Sequence, residues 1–162
     1  MFDGPEPELL AQLDSFLADI DPGVLVTWNG GRFDLPYLVD RSRIVDVALN
    51  LKIQPDHRTR TRRDPLPGHL GGYLGTWHGH RHLDAYQVYR ADVGASLGLP
   101  CGLKPLARLL GLEPIEVDGS AIHELSRSEL HDYVASDAVV ARELAMRRWP
   151  TAVRSLDSEE FA

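Results

Sequence analysis

The sequence predicts an α/β domain. Apolar residues recur at helical spacing in several segments, short apolar runs bounded by turn residues separate some of them, and 162 residues suffice for one hydrophobic core. A chain of this size buries roughly 70% of the surface its unfolded form exposes. The organisation predicted is one domain over residues 1–150, followed by a disordered tail over 151–162.

Leu9, Leu10, Leu13, Phe16, Leu17 and Ile20 form one stripe, which predicts a helix over about 6–20. Asp21-Pro22-Gly23 ends it. Val24 to Trp28 is a short apolar run and predicts a buried strand. Asn29-Gly30-Gly31 is a turn, and a second helix begins near Asp34 and runs past Arg41. Residues 44–53 suit strand or helix. Residues 54–81 are rich in Pro, Gly, Arg and His and predict a long loop. A strand over His82–Tyr86 leads into a helix through Tyr89 and Val93, and Leu103–Leu110 is a short amphipathic helix closed by Gly111. The last element is a helix over about 127–149, with Ser126 and Glu129 as a capping box and Pro150 behind it. Two convincing strands are thin support for four helices: either strands escape this reading or the chain begins partway through a fold.

The net charge of −7 is not that of a generic DNA-binding protein. It is compatible with a carboxylate site that metal ions neutralise. Locally, Arg58, Arg60, Arg62 and Arg63 form a basic run that either contacts phosphates or is a solvated loop. The single cysteine, Cys101, excludes an internal disulfide and a cysteine zinc cluster, which points to a reducing, cytoplasmic setting. No stretch is long and apolar enough for a membrane span, and the acidic N-terminus has no signal-peptide pattern.

Two segments carry candidate chemistry. In the last helix, Leu130, Tyr133, Val134, Ala141 and Leu144 share an apolar face with Asp137, which lies four residues after Tyr133. A carboxylate there needs a partner, either a core Tyr or Arg or a metal. In Trp28-Asn29-Gly30-Gly31-Arg32-Phe33-Asp34-Leu35-Pro36, Asp34 is either an N-cap or a ligand at the end of a strand, where open α/β sheets usually bind theirs.

Taken together, Asn-x-x-x-Phe-Asp behind a strand and Tyr-x-x-x-Asp in a late helix resemble the DEDD family of 3′–5′ exonucleases, which have a ribonuclease H-like fold. NGGRFDLPYL is similar to the second motif as it occurs in family B polymerases, and YVASDAVVARELA to the tyrosine form of the third. The histidine form needs His five residues before Asp137, where this chain has Asp132. SLGLPCGLKPLARLLGLEP resembles the linking segment of the family. The resemblance covers roughly residues 6–149. It implies two divalent ions, magnesium or manganese, held by four carboxylates, of which Asp34 and Asp137 are two. It further implies that Tyr133 orients the attacking water, Asn29 shapes the turn and Phe33 packs the site or the terminal nucleotide. The implied substrate is a single-stranded or frayed nucleic-acid 3′ end, and the products are nucleoside 5′-monophosphates.

The first motif of that family, Asp-x-Glu on the first strand, is not found. Asp3-Gly4-Pro5-Glu6 has the wrong spacing, and Gly and Pro disfavour a strand. The expectation is therefore an exonuclease fold without its N-terminal strands, inactive or weakly active as given, with Val24–Trp28 exposed as a sheet edge prone to self-association. Two other readings compete. One is a metal-binding module built on His78, His80, His82 and Asp84, taken as one face of a strand, together with His69. The resemblance instead implies that Asp84 supports the exonuclease site. The other is a non-catalytic module that uses the fold to bind nucleic acid or protein.

Overall fold

A computed structural model describes residues 2, 4–59, 66–69 and 71–157. Its contacts divide into two compact units, the first built on 4–25 and 29–83, the second on 26–28 and 84–157.

The first unit contains helix α1 (Glu6–Asp19), the start of strand β1 (Val24–Thr27), helix α2 (Asp34–Ile44) and strands β2 (Leu51–Pro55), β3 (Tyr73–Trp77) and β4 (His80–Asp84). The sheet order is β1-β4-β3-β2. β2 and β3 pair antiparallel from Leu51 opposite Trp77 to Pro55 opposite Tyr73. β3 and β4 form a tight hairpin in which Trp77 faces His80. Its two turn residues, His78 and Gly79, have φ of 47° and 82°, the positive values that match a two-residue turn to the twist of its strands.

This hairpin corrects the sequence reading. A long loop is expected over residues 54–81, but Pro55 closes β2 and residues 73–84 are two strands. Gly75 masks the strand in sequence yet is needed in space: a Cβ there would lie 2.6 Å from Leu35 Cδ1. The missing side chain is what lets Leu35, buried in α2, lie against β3. β1 stands at one edge of the sheet, as expected for Val24–Trp28, with β4 as its neighbour.

The second unit contains α3 (Ala85–Tyr89), a π-helical turn (Arg90–Gly94), α4 (Ala95–Leu97), α5 (Leu103–Leu109), a 3₁₀ turn (Gly119–Glu124), α6 (Arg127–Arg147) and α7 (Trp149–Asp157). Its core is Tyr89, Leu106, Ala107, Val140 and Leu144, with Trp28, Val93, Leu103 and Leu112 packed against it. The Tyr89 hydroxyl donates to the Leu144 carbonyl at 2.9 Å, so the ring is buried with its polar end satisfied. The capping box forms as predicted: Glu129 N–H donates to Ser126 Oγ, and Ser126 N–H to Glu129 Oε2.

Two expectations change here. Residues 151–157 are helical rather than a disordered tail, because Ala152 and Leu156 are buried one turn apart; residues 158–162 lie outside the described residues. Along α6 the buried residues are Val140, Ala141, Leu144 and Ala145, whereas Leu130 and Val134 face solvent. The apolar face read from the sequence is thus buried only over the second half of the helix. Among the described residues, no helix is long and apolar enough to cross a membrane.

Candidate active site

In the first unit the site begins at the turn after β1. Asn29 takes a left-handed φ of 66°, a conformation Asn tolerates better than most side chains. Backbone bonds then fold the chain tightly: Arg32 N–H donates to Asn29 O, and Leu35 N–H to Gly30 O at 2.9 Å. Tyr73 N–H donates to Gly31 O at 2.8 Å, which fastens the turn to β3. The cap of α2 is Phe33, without a side-chain cap bond, so Asp34 is the first helical residue and not the N-cap. A carboxylate there is favoured by the partial positive charge of the helix N-terminus.

Asp34 is exposed as a residue, while protein atoms crowd its carboxyl. Desolvation raises its pKa above the ordinary aspartate value, against a lowering bond from its own backbone N–H. The direction follows from the crowding; the solvent exposure limits its size. Phe33 is also exposed, at 37%.

In the second unit, Tyr133 and Asp137 are half-buried neighbours on α6. The third member of this group is Lys104, in the first turn of α5. Its ammonium lies 4.0 Å from the Tyr133 ring centre and 3.5 Å from Asp137 Oδ1, and donates to the Ile115 carbonyl at 2.5 Å. The lysine thus combines a cation–π contact with an ion pair. Asp137 Oδ1 is buried and accepts no hydrogen bond among the described residues. A buried carboxylate oxygen with spare lone pairs, balanced only by an ion pair at 3.5 Å, has the donor chemistry that a hard divalent cation takes.

The sequence reading passes over Lys104. A signal is present: a lysine in the first turn of a helix opposes the helix dipole, so it needs an acceptor elsewhere. Which acceptor depends on the packing of α5 on α6. Among the described residues, no group of three or more His, Cys, Asp or Glu is gathered to hold a metal. Of the predicted carboxylates, Asp34 lies in the first unit and Asp137 in the second.

The basic run is engaged at its start. Arg58 binds the Asp56 carboxylate through Nε at 2.9 Å. Desolvation pushes the Asp56 pKa up, but the bonds from Arg58 outweigh it and hold the carboxyl below its ordinary value. Arg60, Arg62 and Arg63 lie outside the described residues.

Of the histidines, His80 and His82 share one buried face of β4, whereas His78 and His69 lie outside that strand. His78 lies in the hairpin turn and contacts Asp14 at 2.9 Å. His80 is buried, accepts from Gly23 N–H at Nδ1 and bonds the Leu17 carbonyl through Nε2, which ties α1 to the sheet. His82 is buried too, and desolvation lowers its pKa to about 4. His69 bridges Asp40 and the Tyr73 hydroxyl. Asp84 caps α3 by accepting from Tyr86 N–H. Among the described residues these side chains do not form a group of three or more metal ligands, and His69, His78 and His80 each bond a different partner.

The sequence matches the family described as DNA polymerase family B, exonuclease domain, over residues 4–96. That span contains Asn29, Phe33 and Asp34 and ends before Tyr133 and Asp137. A DNA polymerase of Thermococcus aggregans is 30% identical over 91 residues, 54% of this chain and 5% of the relative. DNA polymerase 2 of Aeropyrum pernix is 35% identical over 71 residues, 44% of this chain and 8% of the relative. The catalytic subunit of DNA polymerase epsilon from Eremothecium gossypii is 28% identical over 148 residues, 88% of this chain and 6% of the relative. A match of that coverage includes both Asp34 and Asp137 wherever it begins. The chain spans a small part, 5% to 8%, of the length of these three relatives. The mixed α/β architecture with a small sheet is that of part of a ribonuclease H-like exonuclease domain. Motif, fold and sequence similarity therefore agree that the chain belongs to the DNA polymerase family B exonuclease domains.

Proposed function

We propose that this chain acts in 3′–5′ exonucleolysis, removing nucleoside 5′-monophosphates from a single-stranded or frayed DNA 3′ end. Family membership supports exonuclease function in general terms. The observation that carries the finer reading is Asp137, whose buried oxygen lacks a hydrogen bond and sits beside Lys104 and Tyr133. Asp34 and Asp137 would hold magnesium or manganese. When bound, two such ions clamp the scissile phosphate and supply a nucleophilic water near neutral pH. Tyr133 orients that water through its hydroxyl. Lys104 fixes the positions of Tyr133 and Asp137 and offsets negative charge when metal is absent. Asn29 sets the turn that presents Phe33 and Asp34, and Phe33 stacks on the terminal base. Arg60, Arg62 and Arg63 contact phosphates of the incoming strand. Arg58 is bound to Asp56.

Asp34 must be ionised to bind a cation, and burial raises its pKa. Metal affinity therefore rises with pH through that raised value. The test is manganese binding followed by electron paramagnetic resonance, beside digestion of a 5′-labelled single-stranded oligonucleotide. Binding that weakens in both Asp34→Ala and Asp137→Ala, with any 3′ shortening lost in each, is expected. Manganese binding unchanged in both variants would overturn the assignment.

A second reading, a non-catalytic nucleic-acid module, is favoured by the absence of a gathered metal-ligand group among the described residues. Tight oligonucleotide binding that is indifferent to manganese and to Asp137→Ala would establish it. The position of β1 at the edge of the sheet further supports self-association of the chain, and a monomer by light scattering would refute that.

A further inference from the structure

On the second unit, α6 and the segment after α5 enclose an open groove of about 440 Å³. Its floor and walls are apolar: Leu112 and Ile115 from the segment, Ala135, Val139 and Val140 from α6. Val139 is 59% exposed and Ile115 43%, so branched aliphatic surface faces water here with no chain covering it among the described residues. The groove is also preformed. Ile115 N–H donates to Ser136 Oγ at 3.0 Å, and the Ile115 carbonyl accepts from Lys104, so the wall is pinned to α6 and α5 rather than loose.

The rim decides what can enter. Glu113, Asp132 and Glu143 line the groove, and among the described residues no lysine or arginine does. Two of these carboxylates have a basic neighbour, Arg142 at 3.1 Å from Glu143 and His131 at 3.4 Å from Asp132, and Glu113 has none beside it among the described residues. With three carboxylates against one arginine, the rim stays acidic, which disfavours a phosphate backbone as occupant. The groove complements a peptide with aliphatic side chains facing in and arginine or lysine at the margins, docked along an amphipathic helix face.

We propose that this groove binds a basic amphipathic segment of a protein partner, on a surface separate from Tyr133 and Asp137. Because Ile115 is shared between the groove wall and Lys104, an occupant also holds the backbone that positions Lys104. The proposal does not depend on the exonuclease reading, since it rests on the groove alone.

The test is a nitrogen-15 NMR titration of the intact chain with two short synthetic helical peptides. Both carry the same leucine positions; one has arginine and the other glutamate at the remaining sites. The arginine peptide is expected to shift the amides of Leu112, Glu113 and Ile115 and of 132–143 on α6, and the glutamate peptide is not. Val139→Arg, at an exposed position that leaves the core intact, is expected to weaken the arginine peptide by roughly tenfold or more. The variant Asp132→Asn with Glu143→Gln, which keeps the apolar floor, is expected to weaken it and to flatten its salt dependence. Four outcomes overturn the proposal: no shift with either peptide, shifts scattered over the acidic surface and unaffected by Val139→Arg, shifts of these amides by a single-stranded oligonucleotide, or concentration-dependent shifts without peptide, which would make a second copy the occupant.

Discussion

Asp34 and Asp137 are the same residue type, assigned the same role, and held in opposite ways. Asp34 opens α2 behind a turn in which the backbone N–H groups of Arg32, Phe33 and Leu35 donate to the carbonyls of Asn29 and Gly30. Asp137 sits in the middle of α6 and takes its character from Lys104, which reaches it from α5. One carboxylate is placed by local chain geometry, the other by packing between distant segments. The comparison teaches that a motif can be equally visible in sequence at two places while the forces maintaining it differ. Disturbing the core should cost the second site far more than the first.

The largest expected effect tests this directly. Leu144 is fully buried in the cluster that seats α5 on α6. Leu144→Ala should cost about 2–5 kcal/mol in denaturant unfolding. It should also broaden the Tyr133 and Asp137 amides while leaving those of Gly30, Gly31 and Asp34 sharp. Equal broadening in both groups would break the comparison.

Next comes acid. The His82 pKa is lowered to about 4 by burial, from 6.5 in the unfolded chain. Stability from keeping it neutral is therefore complete above 6.5 and is lost as the pH falls towards 4, by on the order of 3 kcal/mol. Urea melts across that window should show the loss, and His82→Gln should flatten it. Because His82 lies in the first unit, the Asp34 turn should loosen in acid before the α6 group does.

A smaller effect isolates the lysine. Lys104→Met keeps the aliphatic stem and removes the charge, and should cost about 1 kcal/mol. In a double-mutant cycle with Asp137→Asn the two changes should be less than additive. Strict additivity would show that the ion pair contributes nothing.

The smallest effect belongs to Asp34. Its raised pKa means that ionisation in the folded state is resisted. Asp34→Asn should be neutral below the unfolded aspartate pKa. As the pH rises past that value towards the folded one, the variant should gain on the wild type. At an exposed helix start the gain should stay within about 0.5 kcal/mol, less whatever the helix dipole contributes to the charged form.

Much of this is legible in sequence because the signals are local. The stripe from Leu9 to Leu17, the Asp21-Pro22-Gly23 stop, the turn at Asn29 and the Ser126–Glu129 box each act within a few residues. α1, β1, α2 and α6 accordingly form close to where they are expected. The hairpin of β3 and β4 is not legible, because Gly75 and the His-rich turn read as loop in isolation. α7 escapes the sequence for a different reason: Pro150 reads as a stop, whereas it occupies the first turn of a new helix, where its missing N–H costs nothing.

The sequence by itself determined the α/β class, the order and spacing of two exonuclease-like motifs, and the residues Asn29, Phe33, Asp34, Tyr133 and Asp137 that carry them. Only the tertiary structure decided that Lys104 faces Tyr133 and Asp137, that the histidines are spent on separate partners, and that an acidic-rimmed apolar groove opens beside α6. The physical reason is one of range. Capping, turn geometry and helical periodicity depend on neighbours along the chain. Burial, ion pairing and strand pairing depend on which distant segments the core brings together.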